Sequence, residues 1–217
     1  MKALIVTGGT THQKFAEEWI QKERYDLLIA ADSGMNFYYQ AKLLPDLIVG
    51  DFDSAKPEVL AFYEQNPAVE VCRLNPIKDD TDTEHAIREA IRRGASEITI
   101  FGATGTRLDH VMGNLTLLGI GLEEGVEISL MDPYNKIRMI RESLTIRKDQ
   151  QFGSFISLLP YAGDVEGVTL TGMKYPLKDY TMGGFNSLGV SNEILAEEAV
   201  IQMKKGFLLV IESRDRF

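Results

Sequence analysis

The sequence predicts an α/β fold: an N-terminal, mainly parallel sheet flanked by helices, followed by a C-terminal antiparallel β-sandwich. Two rhythms carry that expectation. From residue 1 to about 133, short apolar runs alternate with amphipathic stretches; after about Asn135 the helical rhythm stops and short strand-like runs follow one another. Alternating βα units imply a parallel sheet covered by helices, and a succession of short strands implies a sandwich or barrel. Residues 1–135 are therefore expected to form an α/β domain and residues 136–217 a β domain. No Pro- or Ser-rich linker marks the junction, so close packing of the two halves is expected.

In the first half the strand candidates are Ala3–Thr7, Asp26–Ala31, Asp46–Val49, Val69–Leu74, Glu97–Phe101 and Val126–Met131. Each is rich in Val, Ile and Leu and flanked by Gly, Asp or Pro, as strands buried on both faces tend to be. Between them, Phe15, Trp19 and Ile20 mark the apolar stripe of one helix, and Ala86, Ile87, Ala90 and Ile91 that of another. The second helix also carries Glu84/Arg88 and Glu89/Arg93 pairs on its outer face and Gly94 at its end. In the second half the candidates are Lys136–Ile140, Ser143–Arg147, Ser154–Leu159, Val165–Thr171, Ala199–Met203 and Phe207–Glu212. Turns are expected at Gln151-Phe152-Gly153, Tyr161-Ala162-Gly163-Asp164 and Met182-Gly183-Gly184.

Composition narrows the function. With 217 residues, 44% hydrophobic and 25% charged, the chain can build packed cores without disulfides. Its 32 acidic against 23 basic side chains give a net charge of −9, which repels a phosphate backbone and argues against nucleic acid as partner. An acidic enzyme still takes ATP when a divalent cation bridges carboxylates to phosphate oxygens. The single cysteine, Cys72, reads as an ordinary buried thiol. No apolar run approaches the roughly 20 residues needed to span a bilayer, and the start of the chain reads as a strand, not a signal peptide. A cytoplasmic location and no membrane partner are expected.

Three constellations carry chemistry. Val49-Gly50-Asp51-Phe52-Asp53-Ser54 follows a predicted strand, and two carboxylates on such a turn can converge on one hard cation. They could equally shape the turn and cap the next helix. Lys78-Asp79-Asp80-Thr81-Asp82-Thr83-Glu84 opens a helix. Thr81 with Glu84 fits a capping box, yet capping needs one or two of these residues, not four carboxylates and a lysine. Phe101 through His110 is again a strand end, a glycine turn and a helix start. There backbone amides can approach an anion and Arg107 offers a fork for phosphate oxygens. His12 and His85 gain no functional reading. Walker, G-x-G-x-x-G, G-x-S-x-G and zinc-type spacings are all missing.

Together these residues resemble thiamine pyrophosphokinase. The resemblance runs through Ala31-Asp32-Ser33-Gly34, Pro45-Asp46, Gly50–Ser54, Lys78–Glu84, Gly105–His110 with Asn114, Gly172–Leu177 and Ser191-Asn192-Glu193. Ser33, Thr106 and Lys42-Leu43-Leu44 depart from the family's more glycine-rich pattern. The resemblance implies transfer of a diphosphate from ATP to the hydroxyl of thiamine, giving thiamine diphosphate and AMP, in a homodimer whose site is shared between subunits. It implies magnesium on Asp51, Asp53 and Asp82, and Lys78 and Arg107 on phosphates. Asp32, Gly34, Ser54, Asp79, Asp80, Thr81, Asp109, His110 and Asn114 would frame the nucleotide, and Ser191 and Asn192 would face thiamine. Two rivals stand beside it. One is a metal-dependent phosphohydrolase using Asp51 of the D-x-D pair as nucleophile. The other is a non-enzymatic nucleotide- or thiamine-binding module.

Overall fold

The computed structural model describes residues 1–53, 55–75, 77 and 79–215. It divides into two compact units, Met1–Pro133 and Tyr134–Phe217.

The first unit alternates strand and helix: β1 (Lys2–Val6), α1 (Gln13–Lys22), β2 (Leu27–Ala31), a 3-10 turn (Asp32–Gly34), α2 (Met35–Gln40), β3 (Leu47–Gly50), α3 (Pro57–Glu64), β4 (Glu70–Arg73), α4 (Asp82–Arg92), β5 (Glu97–Phe101), α5 (Leu108–Glu124) and β6 (Glu127–Met131). All six strands pair in parallel, in the spatial order β4-β3-β2-β1-β5-β6. Ala3–Val6, Leu47–Val49, Ile98 and Ile100 are fully buried, which is why these runs read as continuously apolar. Each large aliphatic side chain so buried contributes about 1.5–3 kcal/mol. Cys72 lies on the edge strand β4 and is only half-buried.

The helices cover the sheet with the faces that the periodicity marks. On α1, Ala16 is buried, and Phe15 sets its ring edge-on to Phe101 of β5 at 5.7 Å. On α4, Ala86, Ile87 and Ala90 are buried, and Thr81 is the N-cap, its hydroxyl accepting from the Glu84 N–H at 3.2 Å. Glu84 pairs with Arg88 at 2.8 Å on the outer face, while Glu89 takes both Arg92 and Arg93. Among the described residues no helix is long and apolar enough to cross a membrane.

The second unit holds β7 (Asn135–Ile140), β8 (Leu144–Arg147), β9 (Phe155–Thr171), β10 (Leu177–Met182), β11 (Glu198–Gln202) and β12 (Lys205–Ser213), all paired antiparallel. The first part of β9 pairs with β12, and its later part with β10 and β11. It thus passes from one layer to the other, and Ile156, Val168, Ile201, Leu208 and Val210 from both layers fill one core.

Two local expectations change here. Ser154–Leu159 and Val165–Thr171 are not two strands but one, and Tyr161–Asp164 is not a turn. Ala162 and Gly163 take positive φ (+57° and +140°), and the β9–β12 register shifts between Phe207↔Tyr161 and Lys205↔Glu166. The extra residues bulge out and the ladder resumes. β10 carried no strand signal because most of its residues are exposed, so its sequence shows no apolar alternation.

Candidate active site

From β1 the first unit steps outward through β2, β3 and β4, then returns to set β5 on the other side of β1. In open parallel sheets the crevice beyond the strand ends at such a reversal is where ligands bind. A cavity of about 530 Å³ opens there. Residues 7–10 after β1, 31–33 after β2 and 81–83 at the start of α4 supply three walls. The β5–α5 segment supplies the fourth, with Arg107, His110 and Asn114 on it. The loops meet backbone to backbone. Gly102 has φ +75°, and a Cβ on it would press on the Thr7 carbonyl oxygen, whose own side-chain hydroxyl donates to the Gly102 carbonyl at 3.3 Å. Gly34 likewise leaves no room for a Cβ against the Val6 carbonyl.

Beside this cavity three carboxylates converge. Asp32, Asp51 and Asp53 each offer an oxygen within 4.8 Å of the others; Asp32 and Asp51 are half-buried and Asp53 is exposed. Asp32 follows β2 and Asp51 follows β3. The parallel register Ala31↔Val49 sets these two strand ends side by side. Between Asp51 and Asp53 the chain turns sharply: Phe52 has φ +63°, and the Asp53 N–H donates to Asp51 Oδ1 at 3.1 Å. Asp32 belongs both to this group and to the cavity wall. The donor set is all carboxylate oxygen, which suits a hard divalent cation such as magnesium and not a softer transition metal.

The opening of α5 forms its own network. Arg107 grips Asp109 in a fork, Nε to Oδ1 at 3.2 Å and Nη2 to Oδ2 at 2.6 Å. That pair, helped by the His110 N–H, holds the Asp109 carboxyl down at about 2, and raises the Arg107 guanidinium further. Asn114 Nδ2 donates to the Ala103 carbonyl at 2.8 Å, pinning the glycine turn to the helix. Thr104 ties the same turn to the buried Asp132 at 2.9 Å.

The sequence-derived candidates distribute as follows. Asp32, Thr81, Asp82, Arg107, His110 and Asn114 line the cavity. Asp51 and Asp53 join it through Asp32, while Asp82 is outside the three-carboxylate group. Asp79 is exposed and Asp80 half-buried before α4, with Asp80 3.3 Å from the His85 ring. Ser54 and Lys78 lie outside the described residues. In the second unit, Ser191 is exposed with φ +59°. Asn192 is buried, its amide donating to the Tyr175 carbonyl at 2.9 Å and to the Met173 sulfur at 3.4 Å and accepting from the Tyr175 and Glu193 N–H groups. Sequence reasoning passed over Thr7, Gly8, Gly9 and Thr10. Their signal was present as a run of glycine and hydroxyl residues directly after the first strand, but it fits no phosphate-loop spacing.

Comparison with known proteins places the chain. The family described as "Thiamin pyrophosphokinase, catalytic domain" matches residues 19–130, and "Thiamin pyrophosphokinase, vitamin B1 binding domain" matches residues 142–208. Thiamine pyrophosphokinase of Bacillus subtilis (strain 168) is 32% identical over 217 residues, spanning 99% of this chain and 100% of the relative. The crystal structure of thiamine pyrophosphokinase from Bacillus subtilis superposes with a TM-score of 0.89 at 31% identity, covering 100% of both chains. That of the Geobacillus thermodenitrificans enzyme gives 0.85 at 30% identity, covering 99% of this chain and 98% of the other. Matched in both halves and aligned from end to end, the chain belongs to the thiamine pyrophosphokinase family.

Proposed function

We propose that the chain forms thiamine diphosphate from ATP and thiamine at the point where Asp32, Asp51 and Asp53 converge beside the cavity between β1 and β5. The convergence carries the reading: three carboxylates from two neighbouring strand ends meet where a parallel sheet receives ligands. The nucleotide lies in the cavity, its phosphates over the Gly8-Gly9 loop and the N-terminal ends of α4 and α5, where backbone N–H groups favour anions. Arg107 forks a phosphate, and Lys78 adds a second cation. Asp109 holds Arg107 in place. Asp32, Asp51 and Asp53 would hold magnesium, and Asp82, on the cavity wall at the start of α4, would join it once the nucleotide is bound. When bound, the ion neutralises phosphate charge during transfer.

The thiamine hydroxyl gives up its proton to solvent as its oxygen attacks the β-phosphorus; the bond from that phosphorus to the α–β bridging oxygen breaks, and AMP leaves with that oxygen. Catalysis then comes from alignment and charge neutralisation without a covalent intermediate. Thiamine faces the loop around Ser191 in the second unit of a partner protomer, and buried Asn192 holds that loop to Tyr175. The vitamin B1 binding description of residues 142–208 supports this half of the reading.

Product analysis tests it. With MgATP and thiamine, AMP and thiamine diphosphate should form in equal amounts. ADP with thiamine monophosphate would mean attack at the γ-phosphorus, and phosphate released without thiamine would mean a phosphohydrolase; either overturns the proposal.

A further inference from the structure

We infer that Phe52 and Arg73 are positioning residues that fix the spacing of the Asp32–Asp51–Asp53 carboxylates. This rests on reading that group as a cation site.

Six non-glycine residues among those described have positive φ, and Phe52 is the only aromatic one. A left-handed backbone is uncommon for any side chain and an outlier for a bulky one; glycine adopts it without strain. The conformation does something specific at this place. It reverses the chain between two carboxylates, so that the Asp53 N–H reaches Asp51 Oδ1 at 3.1 Å and both side chains join Asp32. Glycine would make the same turn but leave it unanchored. Phe52 anchors it: its ring is buried, 6% exposed, although Asp53 beside it is exposed.

A guanidinium covers the ring. Arg73 Cζ lies 5.3 Å from the Phe52 centroid, within range of a cation–π contact. Arg73 is itself fixed twice. Its backbone is the parallel register partner of Gly50, and its Nη2 donates to Glu64 Oε1 at 2.5 Å. A chain of contacts therefore runs from α3 through β4 to the turn that carries two of the three aspartates. A side chain that merely filled a hole would not require the left-handed backbone. Strain of this kind persists where the surroundings hold it, and it collects at functional sites.

The test is Mn²⁺ titration of the full chain without nucleotide, followed by the loss of the free-ion electron paramagnetic resonance signal. Phe52→Gly should weaken binding by about tenfold or more, the scale on which outer-shell supports of metal sites act. Arg73→Met, which keeps the stem and removes the charge, should weaken it several-fold, and Phe52→Tyr should match the wild type. Excess magnesium should restore turnover to Arg73→Met with the KM for thiamine unchanged, an effect that a general loss of stability would not give. If Arg73→Met and every folded Phe52 variant bind Mn²⁺ as the wild type does, the inference is overturned while the cation site stands. Should Phe52→Gly fail to fold, Arg73→Met alone decides. A wild-type chain that takes up no Mn²⁺ overturns both.

Discussion

Asp32 was legible in the sequence only as part of Ala31-Asp32-Ser33-Gly34, and there it implied a nucleotide contact. Its nearness to Asp51 and Asp53 depends on the pairing of β2 with β3, a register that no local pattern encodes. Asp51 and Asp53 stand two apart on one turn, so their pairing could be read directly. Asp82 at the start of α4 was equally readable, but the three-carboxylate group forms without it. The two sets make different predictions for nucleotide-free Mn²⁺ binding. Asp32→Asn and Asp53→Asn should each weaken it by roughly tenfold or more. Asp82→Asn should leave it nearly intact while still lowering turnover with MgATP. If Asp82→Asn abolished Mn²⁺ binding and Asp32→Asn did not, the ion would belong to Asp51, Asp53 and Asp82. Asn192 teaches the opposite lesson. Its motif pointed to substrate, and in the fold its amide bonds the Tyr175 and Glu193 backbone and the Met173 sulfur, partners that the motif does not encode.

At the scale of elements, α4 was among the most readable parts of the chain because its amphipathic period, its cap and its end all agree. Both expected ion pairs form, Glu84 with Arg88 and Glu89 with Arg93, but Glu89 does not lie on the outer face: its carboxylate is mostly buried and bonds Arg92 at 2.6 Å as well as Arg93 at 2.7 Å. Arg93 then reaches Glu70 of β4 at 2.9 Å, tying the helix end to the sheet edge. The hydrogen bond from Arg92, then that from Arg93, outweigh burial and lower the Glu89 carboxyl from 4.5 to about 2. Its contribution to stability is thus complete above about pH 4.5 and is lost as pH falls towards 2. Glu89→Gln should be less stable than wild type by about 1 kcal/mol at pH 7 in urea denaturation, since the partners are partly solvated. By pH 3 that gap should have shrunk to less than half; a constant or widening gap would assign the effect to something other than this charge. The strands of the first unit were readable to within a residue or two, and in all but the half-exposed edge strand β4 the reason is burial on both faces, which writes an unbroken apolar run. In the second unit, β9 concealed its continuity behind a bulge whose residues look like a turn, and exposed β10 wrote no pattern.

For the whole molecule, the change of rhythm near Asn135 was legible because parallel and antiparallel sheets demand different sequence periods, and the compact units divide at Pro133/Tyr134. Which protomer supplies which part of a site is not written in any period. If aspartates of one protomer serve the Ser191 loop of its partner, two dead variants should complement. Asp53→Asn removes a carboxylate, and Ser191→Lys sets a positive charge against cationic thiamine. Mixed with subunit exchange, they should recover about a quarter of wild-type activity, because half the dimers are mixed and each has one intact site. No recovery despite demonstrated exchange would place each site within one chain. The position of β1 has a further consequence, for biosynthesis. Of the strands described here β1 is made before the others, yet it lies inside the sheet: Ala3–Val6 are fully buried, with β2 on one side and β5 on the other. Its second neighbour, Glu97–Phe101, is translated much later, a delay of roughly 5–20 seconds at typical elongation rates of about 5–20 residues per second. Throughout that interval the growing chain carries an apolar strand with one open edge, the kind of surface on which a folding chain is exposed to aggregation.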